Sequence, residues 1–565
     1  MFSAIPFLAQ NLPTSNHAKS RSKTLNYVPI LDIAARMMEI SHGFVSNASK
    51  PSFLKGIQDV FLGPFNAAIR FLFTTTRIAN IYNTHSGGNM HLRSPRSFLF
   101  LLSCVQLLAC NFVQAEELQV AVFGLGGRAQ GVLTECLKLE EETGKTIRVV
   151  AICDDHAQES YDFFVKNSIP AELSTKYAQL FKSQRIYPDT EDGMRDLLEN
   201  HPNVDRIFIT SSNNRHAAHL QAVLKSSACR NIYLEKPLFK AIEEFSQFNH
   251  DLGDRNIQVG LTLRSARITQ LAAEHLKTYK ASLGKLQKVH SWEHVNFAHG
   301  LSIIMMNWRR YKSMSGGLLI EKSVHDLDLA YFFMEAVDVH PQSISVTTDV
   351  RHDFYKKSNQ QNITDRLLTD ASLRKSAEPW DQVPWQRVIP FSYNDEHAID
   401  WSQTMAHFFA EFPDNDDFSH SDIIPDAHAV HNQITTTDGD VVEYDLDLKL
   451  NGFETQTERG CRLTFEHGTA ELDMESSKLL IQVDNQPSLE IDLNTRGVPH
   501  AGGDVFVAHG ILGTLPPGSS AAQFSDPSVQ ISSVIGLVSE HQALHHIDHP
   551  LEVRMNNGHW EIDLN

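Results

Sequence analysis

The stretch Leu118–Glu142 constrains the fold more than any other part of the chain. Leu118–Phe123 (LQVAVF) is a short apolar run rich in β-branched residues, the pattern of a buried strand. Gly124-Leu125-Gly126-Gly127-Arg128-Ala129 follows at once, and a helical pattern runs on to about Glu142. Strand, tight glycine turn and helix in that order make the GxGxx[GA] arrangement that seats a diphosphate. Gly124 permits the turn, Gly126 lets backbone approach the phosphates, and Ala129 allows close helix–strand packing. The helix N-terminus adds unpaired N–H groups and a partial positive charge. Gly124, Gly126, Gly127, Arg128 and Ala129 are therefore expected to bind the cofactor.

The segments that follow repeat the alternation. Ile147–Cys153 (IRVVAIC) reads as a second buried strand with Asp154 at its C-terminal end. A carboxylate there accepts ribose hydroxyls and repels a 2′-phosphate, which favours NAD over NADP, with Asp155 reinforcing that and Arg128 able to counter it. The interval from Gly124 exceeds the usual ~20 residues; a long first helix ending at Gly144 accounts for it. Val204–Thr210 is a third strand, followed by Ser211-Ser212-Asn213-Asn214-Arg215-His216 and a helix. Asn231–Leu234 is a fourth, followed by Glu235-Lys236-Pro237. This alternation predicts an α/β chain with a doubly wound parallel sheet, its ligand at the C-terminal strand ends.

Composition excludes some classes. A formal net charge of −19 argues against a nucleic-acid surface, which needs a basic patch. Hydrophobic and charged shares of 42% and 21% are those of a globular chain. Among the cysteines, Cys136, Cys153, Cys229 and Cys461 are scattered and read as small buried hydrophobes; none of the six forms a CxxC pair. His541 and His545 sit at helical spacing near His546 and His549, but no HExxH or cysteine pattern accompanies them, so no metal site is expected.

Met90–Ala115 has a short basic region (Arg93, Arg96), an apolar run from Phe98 to Ala109, and small residues up to Ala115. That is the layout of a secretory signal, too short for a comfortable membrane span. An ordinary leader is the preferred reading. A lipoprotein box ending at Cys110, giving a lipid anchor, and a twin-arginine-like route stand beside it. The expectation is an exported, periplasmic or secreted protein starting near residue 116. Residues 1–89 are then either an untranslated stretch or an extension without assigned function, with helical apolar spacing in Ser52–Asn83.

Three blocks together resemble the glucose–fructose oxidoreductase / inositol dehydrogenase family, also called Gfo/Idh/MocA. They are the GLGGRA turn with Asp154, the segment Ile209–His219 (ITSSNNRHAAH) with the EKP at Glu235–Pro237, and Gly316–Asp328 (GGLLIEKSVHDLD). Weaker likeness continues in HGTAEL (467–472) and HAGGD (500–504). The resemblance implies a Rossmann domain over 116–238, then a second α/β domain over 239–565 built on a large, mostly antiparallel open sheet that often mediates dimers or tetramers. It implies NAD(P)-dependent oxidation or reduction of a sugar, sugar acid or cyclitol, in a homo-oligomer. Lys236 would polarise or protonate the substrate oxygen, and His325 would act as acid/base. Ser211, Asn213, His216 and Glu235 would line the cofactor, and Arg264 would lie near substrate.

Glu321 stands where the family has Asp. On a helix, i and i+4 share a face, so a Glu321–His325 carboxylate–imidazole pair is expected, the carboxylate orienting the ring. The alternatives are a local Glu321–Lys322 ion pair and a core His325 bonded to Asp328. Arg309 and Asp328 are further substrate candidates; the run Trp308–Tyr311 suits an anionic or hydroxylated substrate or a solvated helix start. The polar run 340–440 reads as loops and insertions. Two other functions are compatible with the same fold: a relative that retains NAD to cleave a glycosidic bond, and a non-catalytic dinucleotide- or sugar-sensing protein.

Overall fold

The computed structural model describes residues 116–565 apart from 249–251, 305–307, 378–390, 493–498 and a few single positions. The leader at 90–115, the extension at 1–89, Cys104 and Cys110 lie outside the described residues. Residues 117–565 cluster as one unit.

Its first layer is a six-stranded sheet: β1 (Glu116–Phe123), β2 (Lys145–Cys153), β3 (Arg185–Tyr187), β4 (Arg206–Ile209), β5 (Asn231–Leu234) and β6 (Asn256–Val259). The spatial order is β3-β2-β1-β4-β5-β6, with parallel registers at β2–β3, β1–β4, β4–β5 and β5–β6. Chain order reverses between β1 and β4, and that switch point is where such sheets bind ligands. Two helices begin there, α1 (Gly127–Lys138) and α2 (Asn213–Lys225). The strands are apolar because both faces are covered; Val120 to Phe123 and Ile207 to Ile209 are fully buried.

Two readings are corrected here. The sheet takes its sixth strand beyond residue 238, so the first domain outruns the expected boundary. The edge strand β3 was not foreseen: it has three residues, two of them exposed, and leaves no apolar run to detect. The first helix also stops early, at Lys138. A separate turn over Glu140–Thr143 precedes the left-handed Gly144, so two pieces fill the long interval to Asp154.

The second sheet has ten strands in the order β14-β13-β12-β11-β7-β10-β9-β8-β15-β16. They are β7 (Leu286–His294), β8 (Pro341–Arg351), β9 (Ala427–Thr436), β10 (Val441–Lys449), β11 (Glu458–Phe465), β12 (Gly468–Asp473), β13 (Lys478–Val483), β14 (Leu489–Asp492), β15 (Leu551–Asn556) and β16 (His559–Asp563). Only β7–β10 is parallel among its paired registers. Residues alternate: Val442, Tyr444, Leu446 and Leu448 are buried, while Glu443 is exposed and Asp445 and Asp447 are partly so. Partners across the open face answer those charges, Lys288 with Asp445 and His290 with Asp447.

The covered face carries α3 (Arg267–Leu283), α5 (Val324–Ala336) and α7 (Pro527–Leu544), with α4 (Leu318–Glu321) packed on α7, while α6 (Gly503–Leu512) packs on α1 and joins the core of the first layer. α5 and α7 pack on each other and are buried around nearly their whole circumference, so neither shows an amphipathic stripe. Asp526 and Pro527 start α7 in the expected manner, the carboxylate accepting from the Ser528 amide. The region read as loops, 340–440, contributes two ten- or eleven-residue strands, β8 and β9, besides helices over Gln360–Thr369 and Trp401–Ala410. Ser343, Ser345, Thr347 and Asp349 of β8 and His431, Gln433 and Thr435 of β9 alternate with the buried positions and dilute the strand signal. The four described cysteines are free and buried, as expected. Among the described residues no helix is long and apolar enough to cross a membrane.

Candidate active site

The glycine turn forms as its sequence dictates. Gly124 has φ +86°, and a Cβ there would lie 2.4 Å from the Ser211 Cα; only glycine lets β1 and the β4–α2 loop touch. A Cβ on Gly126 would meet nothing within 4 Å, and no side chain caps α1, so its first amides remain for a ligand. Asp154 at the end of β2 accepts from the amides of Leu125 and His156, both at 2.7 Å. The carboxylate is thereby tied to the turn, where it would meet a dinucleotide ribose. Burial raises its pKa above the ordinary value, with those two amides opposing. An open Gly126, uncapped amides and a fixed carboxylate fit a dinucleotide.

Arg128 and Glu235 do not line that space as expected. Arg128 pairs with Glu235 and Asp504 and reaches the Tyr233 hydroxyl at 3.3 Å. Glu235, only 5% exposed, also accepts from Tyr233 and from the Lys236 amide. Both charges are satisfied internally, so the ion pair locks α1 to the end of β5 instead of offering charge to a cofactor. His216 is likewise spent on backbone: its ring bridges the Pro237 and Ser211 carbonyls at 2.7 and 3.2 Å. Ser211 donates or accepts at His219 Nδ1 (2.9 Å), whose other nitrogen meets Asp189 on the β3 loop. The loop after β4 is thus held from behind, and Ser211 contributes backbone against Gly124.

Lys236 follows β5 at a cis peptide bond to Pro237. Its Nζ donates to the Glu321 carbonyl at 2.5 Å and stands 3.6 Å from the Glu321 carboxylate. Burial lowers its pKa, with Glu321 working the other way. Glu321 accepts from Asn213 (2.8 Å) and Arg309 (2.6 Å). Burial opposes its ionisation, but Lys236 and Arg309 outweigh that and hold it below its usual range. Asn213 also donates to the Ser315 carbonyl, so the first turn of α2 is stitched to the second domain. Gly317 starts α4 with φ +118°, and a Cβ there would sit 2.1 Å from the Glu540 carboxyl, which accepts from the Leu319 amide. Of the expected residues, Lys236, Glu321, Asn213 and Arg309 come together.

The Glu321–His325 pair does not form. α4 ends at Glu321, Ser323 leaves the α-helical region, and α5 starts at Val324, so the i,i+4 relation is lost. His325 Nδ1 is buried and without a hydrogen-bond partner among the described residues. Burial and then Lys236 push its pKa well down, so the ring is neutral. Asp328 does not serve it either. Asp328 is fully buried in a two-pronged pair with Arg264 (3.0 and 2.5 Å), which also meets Asp526 at 2.8 Å and lies over the Phe332 ring. Arg264, 2% exposed, braces α5 against α7 and has no face toward a substrate. Both were expected near substrate; the reason they are not is that each charge needs the other once buried.

Sequence reasoning missed a second set of residues around His325. Lys322 turns away from Glu321 to Glu293 on β7 (3.0 Å), which also holds Arg459 on β11; Arg459 Nε reaches Asp326 at 3.0 Å. Two acids and two bases close this buried knot beneath α5. His500 and Asp504, from the HAGGD segment, approach from the other side, with the His500 ring 6.0 Å from that of His325. The i,i+4 spacing of a His and an Asp around two glycines was the available signal.

Two family models match the chain in order: the NAD-binding Rossmann fold of the Gfo/Idh/MocA oxidoreductase family over residues 118–260, and that family's C-terminal α/β domain over 280–364. No curated protein matches in sequence. Among solved structures, levoglucosan dehydrogenase in complex with NADH aligns with a TM-score of 0.50 at 12% identity, covering 79% of this chain and 99% of that one. The same enzyme with NADH and levoglucosan gives 0.50 at 12%, covering 80% and 100%. At such identity the likeness is one of fold. The glycine turn, the six-stranded parallel sheet and the ten-stranded sheet behind it agree with both family models, and the chain carries the NAD-binding and C-terminal α/β domains of the Gfo/Idh/MocA oxidoreductase family over those residues.

Proposed function

We propose that the chain is an exported NAD-dependent dehydrogenase or reductase that acts on a hydroxyl or carbonyl of a sugar, sugar acid or cyclitol. One observation carries this reading: a partly buried lysine, Lys236, stands at the C-terminal end of β5, two strands from the open glycine turn, with its charge balanced by Glu321. The Gly126 backbone and the start of α1 would hold the diphosphate, and Asp154 the adenosine ribose. Arg128 is already engaged by Glu235 and Asp504 and is not free to hold a 2′-phosphate, which supports NAD over NADP. NAD, when bound, supplies the hydride acceptor.

The chain's own residues supply the rest. Lys236 presents N–H to the substrate oxygen, and Arg309, about one-third exposed beside it, suits a hydroxyl or carboxylate of the substrate. Glu321 keeps both cations in register. His325, neutral and with an unused nitrogen, suits a substrate hydroxyl. The fold-level likeness to a dehydrogenase whose solved complex contains NADH and levoglucosan supports a polyhydroxylated substrate.

The test is NAD⁺ or NADP⁺ reduction at 340 nm with a panel of hexoses, hexonic acids and cyclitols. Turnover with NAD⁺ and at least one panel member is expected. A wild-type protein that binds the dinucleotide yet reduces none of it across the panel refutes the substrate class. Mass spectrometry of the native protein checks export and the expected assembly: a mature N-terminus near residue 116 and a dimer or tetramer are predicted.

A further inference from the structure

The site contains a carboxylate–imidazole pair other than the one the sequence suggests. His500 Nδ1 lies 2.8 Å from Asp504 Oδ2. The other Asp504 oxygen is held by Arg128, which Glu235 holds in turn. Burial opposes ionisation of Asp504, but Arg128 and His500 outweigh it and keep the carboxyl well below its usual range. An ionised carboxylate only accepts, so the His500 proton sits on Nδ1 and the lone pair on Nε2. That Nε2 is buried and has no hydrogen-bond partner among the described residues, and the same is true of His325 Nδ1 in the neighbouring ring. His500 and Ala501 also hold left-handed backbone (φ +50° and +48°), which is uncommon for non-glycine residues.

Buried imidazole nitrogens are normally satisfied. Two of them in adjacent rings, one under the charge of Lys236 and the other joined through Asp504 and Arg128 to the helix that begins the cofactor turn, indicate a place for polar ligand atoms. His325 has no carboxylate behind it and is surrounded by the cations of Lys236, Arg459 and Lys322. His500 has Asp504 behind it, the arrangement that orients a base and stabilises its protonated form.

We propose that His500, backed by Asp504, exchanges the hydroxyl proton of the substrate, and that His325 binds a hydroxyl without taking the proton. The inference rests on the oxidoreductase reading above. In oxidation the substrate O–H bond breaks and its proton passes to His500 Nε2. The electron pair of that bond becomes the second bond of the carbonyl, while the adjacent C–H pair leaves as hydride to NAD⁺. Reduction runs the same transfers backwards. Asp504 stays ionised throughout because Arg128 holds its second oxygen.

The experiment compares His500→Gln, His500→Gly, Asp504→Asn and His325→Gln in the full chain, with circular dichroism and NADH affinity as controls for folding and cofactor binding. His500→Gln is expected to lower kcat about 10²–10⁴-fold with NADH affinity within threefold of wild type. Added imidazole should restore part of the turnover of His500→Gly. His325→Gln should act mainly through KM. Independently of turnover, ¹⁵N-histidine NMR should show one imidazole with Nδ1 protonated that becomes a mixture in Asp504→Asn, and whose Nε2 resonance moves on titration with the panel polyols. Wild-type kcat in His500→Gln, or an Nε2 resonance that no polyol moves, overturns the proposal. If the wild type turns over none of the panel, the reading above fails, and the NMR titration alone decides whether His500 meets the ligand.

Discussion

Replacing Arg264 discriminates sharply between a substrate-binding arginine and an internal brace. The guanidinium is 2% exposed and Asp328 fully buried; two hydrogen bonds join them, and Asp526 and Ser528 take further N–H groups of Arg264. The neighbouring carboxylates raise the arginine's pKa despite burial, so the cation is present in the fold at every accessible pH. Arg264→Met leaves the hydrocarbon stem but strands the Asp328 carboxylate without a counter-ion. Breaking a buried pair from one side costs about 3–5 kcal/mol, and the value here belongs near the upper end because three acceptors lose their donor together. Asp328→Asn should cost less, since an amide can still accept from Arg264. The double variant Arg264→Met/Asp328→Asn should recover part of the single loss, because no charge is then left alone.

Urea unfolding followed by tryptophan fluorescence measures this, with KM for the best panel substrate measured alongside. The expected outcome is a marked fall in unfolding midpoint for Arg264→Met, a partial return in the double variant, and KM within about threefold of wild type. A variant that unfolds like wild type while KM rises tenfold would refute the brace and restore Arg264 to the substrate pocket.

Other outcomes follow from the same structure. Lys236→Met should abolish turnover by at least 10²-fold while NADH affinity, read by fluorescence, stays within threefold; lost affinity instead would make Lys236 a cofactor ligand. Gly124→Val should prevent dinucleotide binding altogether, because its Cβ cannot coexist with Ser211, and should cost a further ~1–2 kcal/mol for the left-handed backbone; calorimetric titration with NAD⁺ reads it. Burial holds His428 at a pKa of about 3, against ~6.5 when unfolded. Its contribution is therefore complete above pH 6.5 and declines as pH falls toward 3, by up to ~1.4 kcal/mol per pH unit. His428→Gln should flatten the acid side of a stability–pH curve by about that slope, and an unchanged slope would contradict the burial argument.

The parts of this molecule legible in its sequence are those decided within a few residues. LQVAVF must be a buried strand, and GLGGRA must turn after it, because Gly124 alone admits both its φ and the contact with Ser211. Lys236 was legible for a similar reason: a charged residue straight after a buried strand lies at a strand end, where these sheets place chemistry. Ionic partners were not legible. Glu321, Lys322, Asp326 and Asp328 lie within eight residues, yet each pairs with a group far along the chain: Lys236, Glu293, Arg459 and Arg264 respectively. The helix is interrupted at Lys322 and the non-helical Ser323, and a same-face inference made from a continuous helix fails at that point.

That break also explains why the site's carboxylate–imidazole pair comes from so much further along the chain. Past the break, Glu321 answers Lys236 and Arg309, while His325 lies beside the His500 ring among cations. A base needs a carboxylate, and the acids near His325 are committed: Glu293 and Asp326 to Lys322 and Arg459, Asp328 to Arg264. Asp504 is different. It takes Arg128 with one oxygen and keeps the other for His500. The arginine that the glycine turn seemed to offer to a phosphate is thereby the residue that joins the cofactor helix to the acid–base end of the site.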